Sequence, residues 1–406
     1  MSFAELWAEL LPVGRDERTG GYRRYSWTEP DAACRGWFAR TATGLGMRTD
    51  YDGNGNLWAW WGRPGGESPP AIATGSHLDS VPDGGAYDGP LGIVSAFAAI
   101  SRLRDQGFRP ARPIGVAAFT EEEGARFGVA CLGSRLLAGV IDPAAARALR
   151  DRDGMSLDEA MRGAGRNPEL IGQDEDLLAA IQVYIELHIE QGSMLEGLGA
   201  AVGVADGIWP HGRWRLDFSG RADHAGTTRL ADRRDPMLPF ARTVLTARDA
   251  AAENGALATF GKVMAEAGAA NAISSGVQAW LDARAPEASV LERLVDQIRA
   301  AAAEAAAEHG VRLEVRRESF TPLVTFHPEL RERLVRVLAA AGAQPPVLPT
   351  GAGHDAGVLA SRIPTAMLFV RNPTGVSHSP AEYAAPADCE AGVIALASVL
   401  EDLAGT

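Results

Sequence analysis

Cysteine is scarce in this sequence. Only Cys34, Cys131 and Cys389 occur among 406 residues, and they lie far apart. Because a disulfide framework needs an even and closely spaced set of cysteines, this small odd number argues against one. Few, scattered cysteines are typical of proteins in the reducing cytoplasm. We therefore expect a cytoplasmic protein.

The sequence also lacks long apolar runs and an excess of positive charge. No stretch approaches the ~18 uninterrupted apolar residues of a membrane-spanning helix, and the acidic N-terminal stretch MSFAELWAEL does not resemble a signal peptide. Lys and Arg number 39 against 52 Asp and Glu, which gives a net charge of −13. This charge argues against nucleic acid or an anionic membrane as a partner. A small anionic substrate would need a local cationic site.

Several well-known site motifs are missing as well. The sequence contains neither CxxC nor HExxH. The segment Gly124-Ala125-Arg126-Phe127-Gly128 does not fit the GxGxxG pattern that follows a strand in dinucleotide-binding enzymes. We therefore reject a dinucleotide-binding enzyme.

What is present is an alternation of apolar strands and helices. The composition, 46% hydrophobic and 22% charged, is that of a soluble globular protein, and the length suggests two or three domains. Strands are predicted at 57–61, 71–74 and 114–119, with helices at 30–44 and 91–106. This order predicts an α/β fold, with a layered domain built on a central mixed sheet.

Residues 183–190 alternate strictly between apolar and polar side chains. The apolar residues of this segment share one face of a strand, and the polar residues, His188 among them, share the other. The alternation predicts a half-buried strand that carries His188 on its polar face.

A second pattern begins near Arg213. Its strands and helices follow the order β-α-β-β-α-β, which is a complete ferredoxin-like α+β unit. The predicted elements are a strand at 213–218, a helix at 235–254, strands at 256–265 and 272–284, a helix at 289–308 and a strand at 311–318. Apolar α/β segments resume after Phe320, with a strand at 366–370. We therefore expect residues 213–320 to be inserted into a larger domain made of residues 1–212 and 321–406.

Histidines and carboxylates gather where the predicted strands end. Ligands in open α/β sheets bind outside the carboxyl ends of the strands, and crowded carboxylates raise one another's pKa unless a cation neutralises them. Imidazole mixed with carboxylate suits Zn, Mn, Co or Ni better than Mg or Ca. Any one of these residues alone would more often be a solvated turn residue or a structural histidine, as we expect for Asp83 and Glu121. The candidates are His77, Asp79, Asp88, Glu122, Glu123, His188 and His378.

Seven ordered motifs resemble one family, the hydantoinase/carbamoylase-type amidases, which belong to the di-metal aminoacylase/carboxypeptidase superfamily. The family includes N-carbamoyl-L-amino-acid hydrolases and allantoate amidohydrolases. The resemblance runs from about residue 10 to residue 400. The motifs are GSHLDSV at 75–81, GGAYDG at 84–89, EEGARF at 122–127, ELHIEQG at 186–192, GRADHAGTT at 220–228, NAI at 271–273 and GVSHSPAE at 375–382.

The resemblance implies two divalent metal ions per subunit, which could be Zn, Mn, Co or Ni. Asp88 would bridge the two ions, and Glu122 would be the general base. Asp79 would orient the imidazole of His77, and Gly124 would permit the bend that lets two adjacent glutamates take different roles. The remaining ligands would be His77 and His188 on one ion, and Glu123 and His378 on the other.

For the inserted unit, the resemblance implies a lid and dimerisation domain in a homodimer. His224 would reach the partner's active site and polarise the scissile carbonyl. Asn271 and Arg284 would hold the substrate carboxylate, and Gln191 would also contact the substrate.

Two features favour the branch of the superfamily that acts on ureido compounds. Asp88 is followed by Gly-Pro-Leu-Gly rather than by a residue and Lys-Gly, and a histidine, His188, replaces the usual third-strand carboxylate. We therefore expect hydrolysis of the carbamoyl C–N bond of N-carbamoyl-L-amino acids or allantoate, with release of ammonia and CO2.

Two alternatives stay open at the level of the sequence. Thr228-Arg229 and Arg284-Ala285-Pro286 depart from the family pattern around the substrate pocket, so the substrate could instead be an N-formyl or another N-acyl amino acid. A non-catalytic ligand-binding relative is the second alternative, and the complete set of ligand residues argues against it.

Overall fold

The computed structural model describes residues 1–62, 64–66, 68–266 and 269–405. Its α-helices are α1 Phe3–Leu10, α2 Glu29–Gly44, α3 Pro90–Asp105, α4 Leu132–Leu137, α5 Pro143–Arg147, α6 Leu157–Gly163, α7 Glu175–Ala179, α8 Met194–Leu198, α9 Met237–Glu253, α10 Ala288–Glu308, α11 Pro328–Ala340, α12 Asp355–Leu359 and α13 Pro386–Ala404. Its strands are β1 Arg48–Tyr51, β2 Leu57–Trp61, β3 Ala71–His77, β4 Ile114–Phe119, β5 Ile181–Ile189, β6 Val202–Ile208, β7 His211–Ser219, β8 Asp223–His224, β9 Leu257–Ala265, β10 Ala272–Ile273, β11 Gly276–Arg284, β12 Arg312–Thr321, β13 Val324–Thr325, β14 Val347–Thr350 and β15 Thr365–Val370.

The chain divides into two compact units. The first contains Met1–Gly207 and Thr325–Thr406, and the second contains Ile208–Val324. The second unit therefore interrupts the chain of the first.

The first unit is built on a mixed sheet, which confirms the predicted central mixed sheet. Its strands run in the order β1-β2-β4-β3-β5-β15-β6. The four central strands β4, β3, β5 and β15 are mutually parallel, whereas β2 and β6 run antiparallel to their neighbours in this group. Parallel strands end at the same edge of a sheet, so the loops that follow these four strands converge there.

Burial on both faces explains the composition of these central strands. All residues of β3, β4 and β15 are buried, as is typical of a parallel sheet covered by helices on both sides. Helices α3 and α13 contribute Phe97, Val94 and Leu396 to the core on one face. This core anchors the strand ends that carry the polar loops.

The prediction of a half-buried β5 is wrong. Tyr184, Glu186 and His188 on its polar face are as buried as the apolar residues between them. The polar face is covered by α12, because the carboxylate of Glu186 accepts the main-chain N–H of Ala356 in its first turn (2.9 Å). The polar residues of β5 therefore face a polar environment inside the protein rather than solvent.

The second unit contains an antiparallel four-stranded sheet in the order β12-β7-β11-β9, with α9 and α10 in its core. A strand predicted at 272–284 is in fact two strands, β10 and β11. The strands are separated by Ser274 and Ser275, and the Ser274 hydroxyl bonds to the carbonyl oxygen (2.8 Å) and the N–H (3.3 Å) of Gly276, the first residue of β11. Strand β10 pairs instead with β8 in a separate two-stranded sheet.

None of the helices in the described ranges combines the length and the apolar character that crossing a lipid bilayer requires.

Candidate metal centre

The converging loops of the central sheet carry the candidate site. His77 is the last residue of β3, and His188 is the last but one of β5. Glu122 and Glu123 follow the end of β4, and His378 lies in the loop after β15. Registry between the parallel strands places these ends side by side, because His77 is opposite Phe119, the last residue of β4.

Asp88 lies at the centre of the group and uses both of its carboxylate oxygens. Its Oδ1 atom lies 3.2 Å from Nε2 of His188 and 3.5 Å from Nε2 of His77. Its Oδ2 atom lies 3.3 Å from Nε2 of His378, and that nitrogen is also 3.5 Å from Oε2 of Glu123. The structure therefore contains two sets of potential metal ligands that share Asp88, namely His77, Asp88 and His188, and Asp88, Glu123 and His378.

The hydrogen bonds of Nδ1 in His77 and His188 show whether Nε2 of each imidazole is available to a metal ion. Nδ1 of His77 contacts the carbonyl oxygen of Asp79 (3.1 Å), and Nδ1 of His188 contacts that of Ile189 (2.8 Å). A carbonyl requires a donor, so in each neutral ring the proton is on Nδ1 and a lone pair is on Nε2. Both Nε2 atoms are buried and have no hydrogen-bond partner among the described residues. Lone pairs that face a carboxylate need a proton or a metal ion between them, and imidazole nitrogens beside carboxylate oxygens are a donor set that fits a metal ion.

The charges of the group support the same conclusion. Burial raises the pKa of Glu123 well above its usual range, and repulsion from Asp88 and Glu122 raises it further. Burial alone would lower the pKa of His77, but Glu122, Asp88 and Asp79 reverse this effect and raise it well above the usual value. Carboxylates this crowded are stable as anions only beside positive charge.

Asp79 fixes the two adjacent glutamates through their main chain. Its Oδ1 accepts the N–H of Glu122 (3.2 Å), and its Oδ2 accepts the N–H of Glu123 (3.1 Å). The hydrogen-bond partner of the His77 imidazole is the carbonyl oxygen of Asp79, 3.1 Å from Nδ1, whereas the Asp79 carboxylate is 3.6 Å from that nitrogen. Asp79 thus holds three neighbours by two different groups.

The chain bends sharply around Glu122 and Glu123. Glu121 has φ +57° and Gly124 has φ +63°, and a Cβ on Gly124 would lie 2.6 Å from the main-chain nitrogen of Ala130. Glycine is therefore required at 124. The bend lets Glu123 face His378 while Oε2 of Glu122 lies 3.7 Å from Nε2 of His77.

Glu121 differs from its predicted solvated state. Its side chain is fully buried, and Oε1 accepts the main-chain N–H groups of Arg126 (2.8 Å) and Phe127 (2.7 Å). These bonds stabilise the loop that follows Glu122 and Glu123. Asp83 is at the surface as expected, where Arg23 donates to it.

Gln191 lies within the same group. Its side-chain nitrogen donates to Oδ2 of Asp88 (2.8 Å) and to the hydroxyl of Ser377 (3.1 Å), and it lies 3.3 Å from Nε2 of His378. The amide thus approaches the oxygen and nitrogen atoms of the second ligand set.

His354 is a buried residue beside the centre that the sequence analysis missed. Its ring packs edge to face on that of His188, with 4.5 Å between centroids, and it forms a third potential ligand set with Glu186 and His188. Burial lowers the pKa of His354 well below its usual range, and nearby His188 lowers it further. The available signal was the His354-Asp355 pair, which follows Gly351-Ala352-Gly353 at the start of a helix.

In the second unit, the structure places His224 and Asn271 next to each other. His224 is in β8 opposite Ala272 of β10, and the N–H of Ala225 donates to the carbonyl of Asn271 (2.9 Å). Nδ1 of His224 accepts the N–H groups of Gly226 (3.0 Å) and Thr227 (3.2 Å). The neutral ring therefore carries its proton on Nε2, on an exposed side chain.

Arg284 lies elsewhere in the second unit, at the end of β11. Its Nε donates to Oδ1 of Asp282 (2.7 Å), and its Nη2 donates to Oδ2 (3.2 Å). This two-point ion pair holds the guanidinium in a fixed orientation.

Comparison with known proteins places this site in a family. The model of peptidase family M20/M25/M40 matches residues 73–402. The chain is 36% identical over 404 residues to an N-carbamoyl-L-amino acid amidohydrolase of Geobacillus stearothermophilus, covering 98% of each protein. It is 32% identical over 413 residues to an allantoate amidohydrolase of Escherichia coli K12, covering 99% of this chain and 98% of the relative.

A solved structure agrees with these sequence relationships. The crystal structure of an amidase of the hydantoinase/carbamoylase family from Burkholderia multivorans superposes with a TM-score of 0.86 and 29% identity, over 100% of this chain and 98% of the other. The resemblance found in the sequence motifs is thereby confirmed. The chain belongs to peptidase family M20/M25/M40, among its hydantoinase/carbamoylase-type amidases.

Proposed function

We propose that this protein is an amidohydrolase that cleaves the carbamoyl C–N bond of an N-carbamoyl-L-amino acid or of allantoate and releases ammonia and CO2. The observation that carries the proposal is the sharing of Asp88 between two sets of potential metal ligands, beside the buried carboxylate of Glu122. The relatives named for N-carbamoyl-L-amino acids and for allantoate support this substrate class.

Each ligand set would hold one divalent ion, and Asp88 belongs to both sets. His77 and His188 complete the first set, and Glu123 and His378 complete the second. Such ions polarise a carbonyl group and lower the pKa of water. Imidazole and carboxylate ligands suit Zn, Mn, Co or Ni.

Glu122 has the position of a general base, since its Oε2 lies 3.7 Å from Nε2 of His77. Burial raises its pKa to about 7, and repulsion from Asp79 and Asp88 adds to the effect while His77 opposes it. A carboxylate in this position can accept a proton from the attacking water and return it to the leaving nitrogen.

The second unit would bind the substrate and complete the site. We assign residues 213–320 the roles of lid and dimerisation domain, and residues 1–212 and 321–406 the catalytic role. The protonated Nε2 of His224 suits donation to a developing oxyanion in the partner subunit. Asn271 and Arg284 would hold the substrate carboxylate, and Gln191 would contact the substrate from the first unit.

Arg284 would share its charge between Asp282 and the substrate. Since Asp282 already accepts two of its N–H groups, the guanidinium is fixed in orientation before a second carboxylate arrives. We also propose a cytoplasmic location, which the three free, buried cysteines support.

An assay of ammonia release tests the proposal. The purified protein is depleted of metal, supplied separately with Zn, Mn, Co or Ni, and offered N-carbamoyl-L-amino acids, allantoate, and N-formyl and N-acetyl amino acids. We expect ammonia from the ureido compounds and little product from the others. Faster release of formate or acetate would favour the alternative substrate class. Absence of any turnover would favour a non-catalytic ligand-binding relative.

A further inference from the structure

The buried carboxylate of Glu382 belongs to neither ligand set but connects the loop of Asp88 to the loop of His378. Oε1 of Glu382 accepts the main-chain N–H of Tyr87 (2.8 Å) and that of Asp88 (2.9 Å), which lie 295 and 294 positions earlier in the chain. The residue is 4% exposed. Two N–H bonds to one oxygen fix the main chain immediately before the shared ligand, and hence the direction of its side chain.

The packing of the Asp88 loop against Glu382 is close. A Cβ on Gly85 would lie 2.5 Å from both Cβ and Oε1 of Glu382, which is closer than real atoms approach. Gly85 therefore allows the loop to reach the carboxylate. Only a residue without a side chain permits this contact.

Glu382 also belongs to the turn that follows His378. Its N–H donates to the carbonyl of Ser379 (3.0 Å). His378 itself has φ +55°, a left-handed conformation that is unfavourable for a residue other than glycine and needs support from its surroundings. The bond from Glu382 to Ser379 closes the turn immediately after His378.

The two ligand sets depend on this link to different degrees. The set of His77, Asp88 and His188 takes both histidines from strands, where carbonyl oxygens hold their rings. The set of Asp88, Glu123 and His378 takes two of its three members from the loops that Glu382 joins. Loss of Glu382 would therefore disturb the second set more than the first.

We propose that Glu382 is a positioning residue that couples the Asp88 loop to the His378 loop and is required for tight binding of the second ion. The inference rests on the proposed two-metal centre. It assigns no direct contact between Glu382 and either ion or the substrate.

Titration of the metal-free protein with Co²⁺, followed by calorimetry and visible absorption, tests the proposal. We expect two ions in the wild type. Glu382→Ala should bind one ion with wild-type affinity and the other about tenfold or more weakly, which is the usual effect of losing a residue that orients a ligand. Glu382→Gln retains an acceptor for both N–H groups and should bind two ions. Glu382→Asp, which is too short to reach both N–H groups, gives a second test if the alanine variant does not fold.

Asp52→Ala is the matched control, because Asp52 also accepts two main-chain N–H groups, from Asn54 and Asn56 (both 2.9 Å), and is in neither ligand set. It should bind two ions. The inference is overturned if Glu382→Ala and Glu382→Asp bind both ions normally, or if they weaken both ions equally. A wild type that binds fewer than two ions would instead refute the two-metal centre itself, whatever the variants do.

Discussion

The thiol of Cys131 donates a hydrogen bond to Oε1 of Glu122 over 3.2 Å, and the main-chain N–H of Cys131 donates to the carbonyl of Glu122 over 2.6 Å. Asp79 holds the N–H of Glu122 from the other side. The main chain and the carboxylate of Glu122 are thus both fixed by neighbours. A general base must be held in a fixed position relative to the proton that it removes, and these bonds hold Glu122 in that way.

Replacement of Glu122 by Gln should abolish most of the activity without removing the metal. An amide of the same shape cannot accept the proton, so we expect turnover to fall by at least ~100-fold, the scale of general-base catalysis. Metal content, measured by atomic spectroscopy, should stay at the wild-type level. Near-normal turnover with metal retained would exclude Glu122 as the base.

Replacement of Cys131 should have a smaller effect that depends on the donor. Cys131→Ala removes the hydrogen bond to Oε1 of Glu122, and one such bond to a carboxylate is worth about 1.5 kcal/mol, or roughly tenfold in kcat. Cys131→Ser keeps a donor and should retain more of the wild-type kcat. Steady-state kinetics on the metal-loaded variants, with unfolding curves as the control for stability, checks this order. Equal kcat values for the two variants would show that the thiol does not position Glu122.

The buried carboxylate of Glu121 makes the stability of the metal-free protein depend on pH. Burial raises its pKa to about 7, and repulsion from Asp79 adds to this effect, whereas the unfolded chain titrates near 4.3. Between these two pKa values Glu121 is protonated in the folded state and ionised in the unfolded state. The contribution of Glu121 to the free energy of unfolding is therefore complete below about pH 4 and is lost as the pH rises through about 7. Glu121→Gln imitates the protonated form. The free energy of unfolding of Glu121→Gln, relative to that of the wild type, should therefore be larger at pH 8 than at pH 5 by on the order of 2 kcal/mol.

Urea unfolding at the two pH values measures this difference. Asp83→Asn is the control of opposite sign, because hydrogen bonds from Arg23 and Thr19 lower the pKa of Asp83. The Asp83→Asn substitution should lower the free energy of unfolding at neutral pH. The effect should become smaller as the pH falls through the range in which the Asp83 carboxylate takes up a proton. A Glu121→Gln variant whose stability relative to wild type is the same at pH 5 and pH 8 would contradict the raised pKa.

Local patterns were sufficient for the strands that position the centre. Strands β2 and β4 begin and end where their apolar runs predict, and the polar residues that follow β4 signal its carboxyl end. Burial of the polar face of β5 could not be predicted, because alternation describes two faces and does not show what covers each. The cover is α12, which lies about 170 positions further along the chain and is capped by Glu186.

Long-range contacts account for most of what the sequence analysis missed. The bonds from Tyr87 and Asp88 to Glu382 join distant loops, and no local periodicity marks such a pair. The expectation of a solvated Glu121 failed for the same reason, since its environment depends on a left-handed main chain and on the N–H groups that follow it. Composition and spacing indicate which residues can do chemistry, whereas tertiary contacts determine how they are held.

Mixed dimers test the proposed role of His224 in the partner subunit. Its exposed ring has its proton on Nε2, ready to donate, and the unit that carries it has an edge strand, β9, that needs a pairing partner or protection. Pairing of two copies across a two-fold axis would protect that edge and bring each His224 towards the other subunit. We expect homodimers of His224→Ala and of Glu122→Gln to be nearly inactive.

Subunit exchange between these two variants should restore activity in one site of each mixed dimer. That site combines Glu122 from the His224→Ala chain with His224 from the Glu122→Gln chain. Because random exchange makes half of the dimers mixed and each has one intact site of two, we expect about one quarter of the wild-type turnover. Ammonia release before and after exchange, with each variant incubated alone as the control, measures the recovery. If mixing restores nothing although mass spectrometry shows mixed dimers, His224 acts in its own subunit or does not take part in the chemistry.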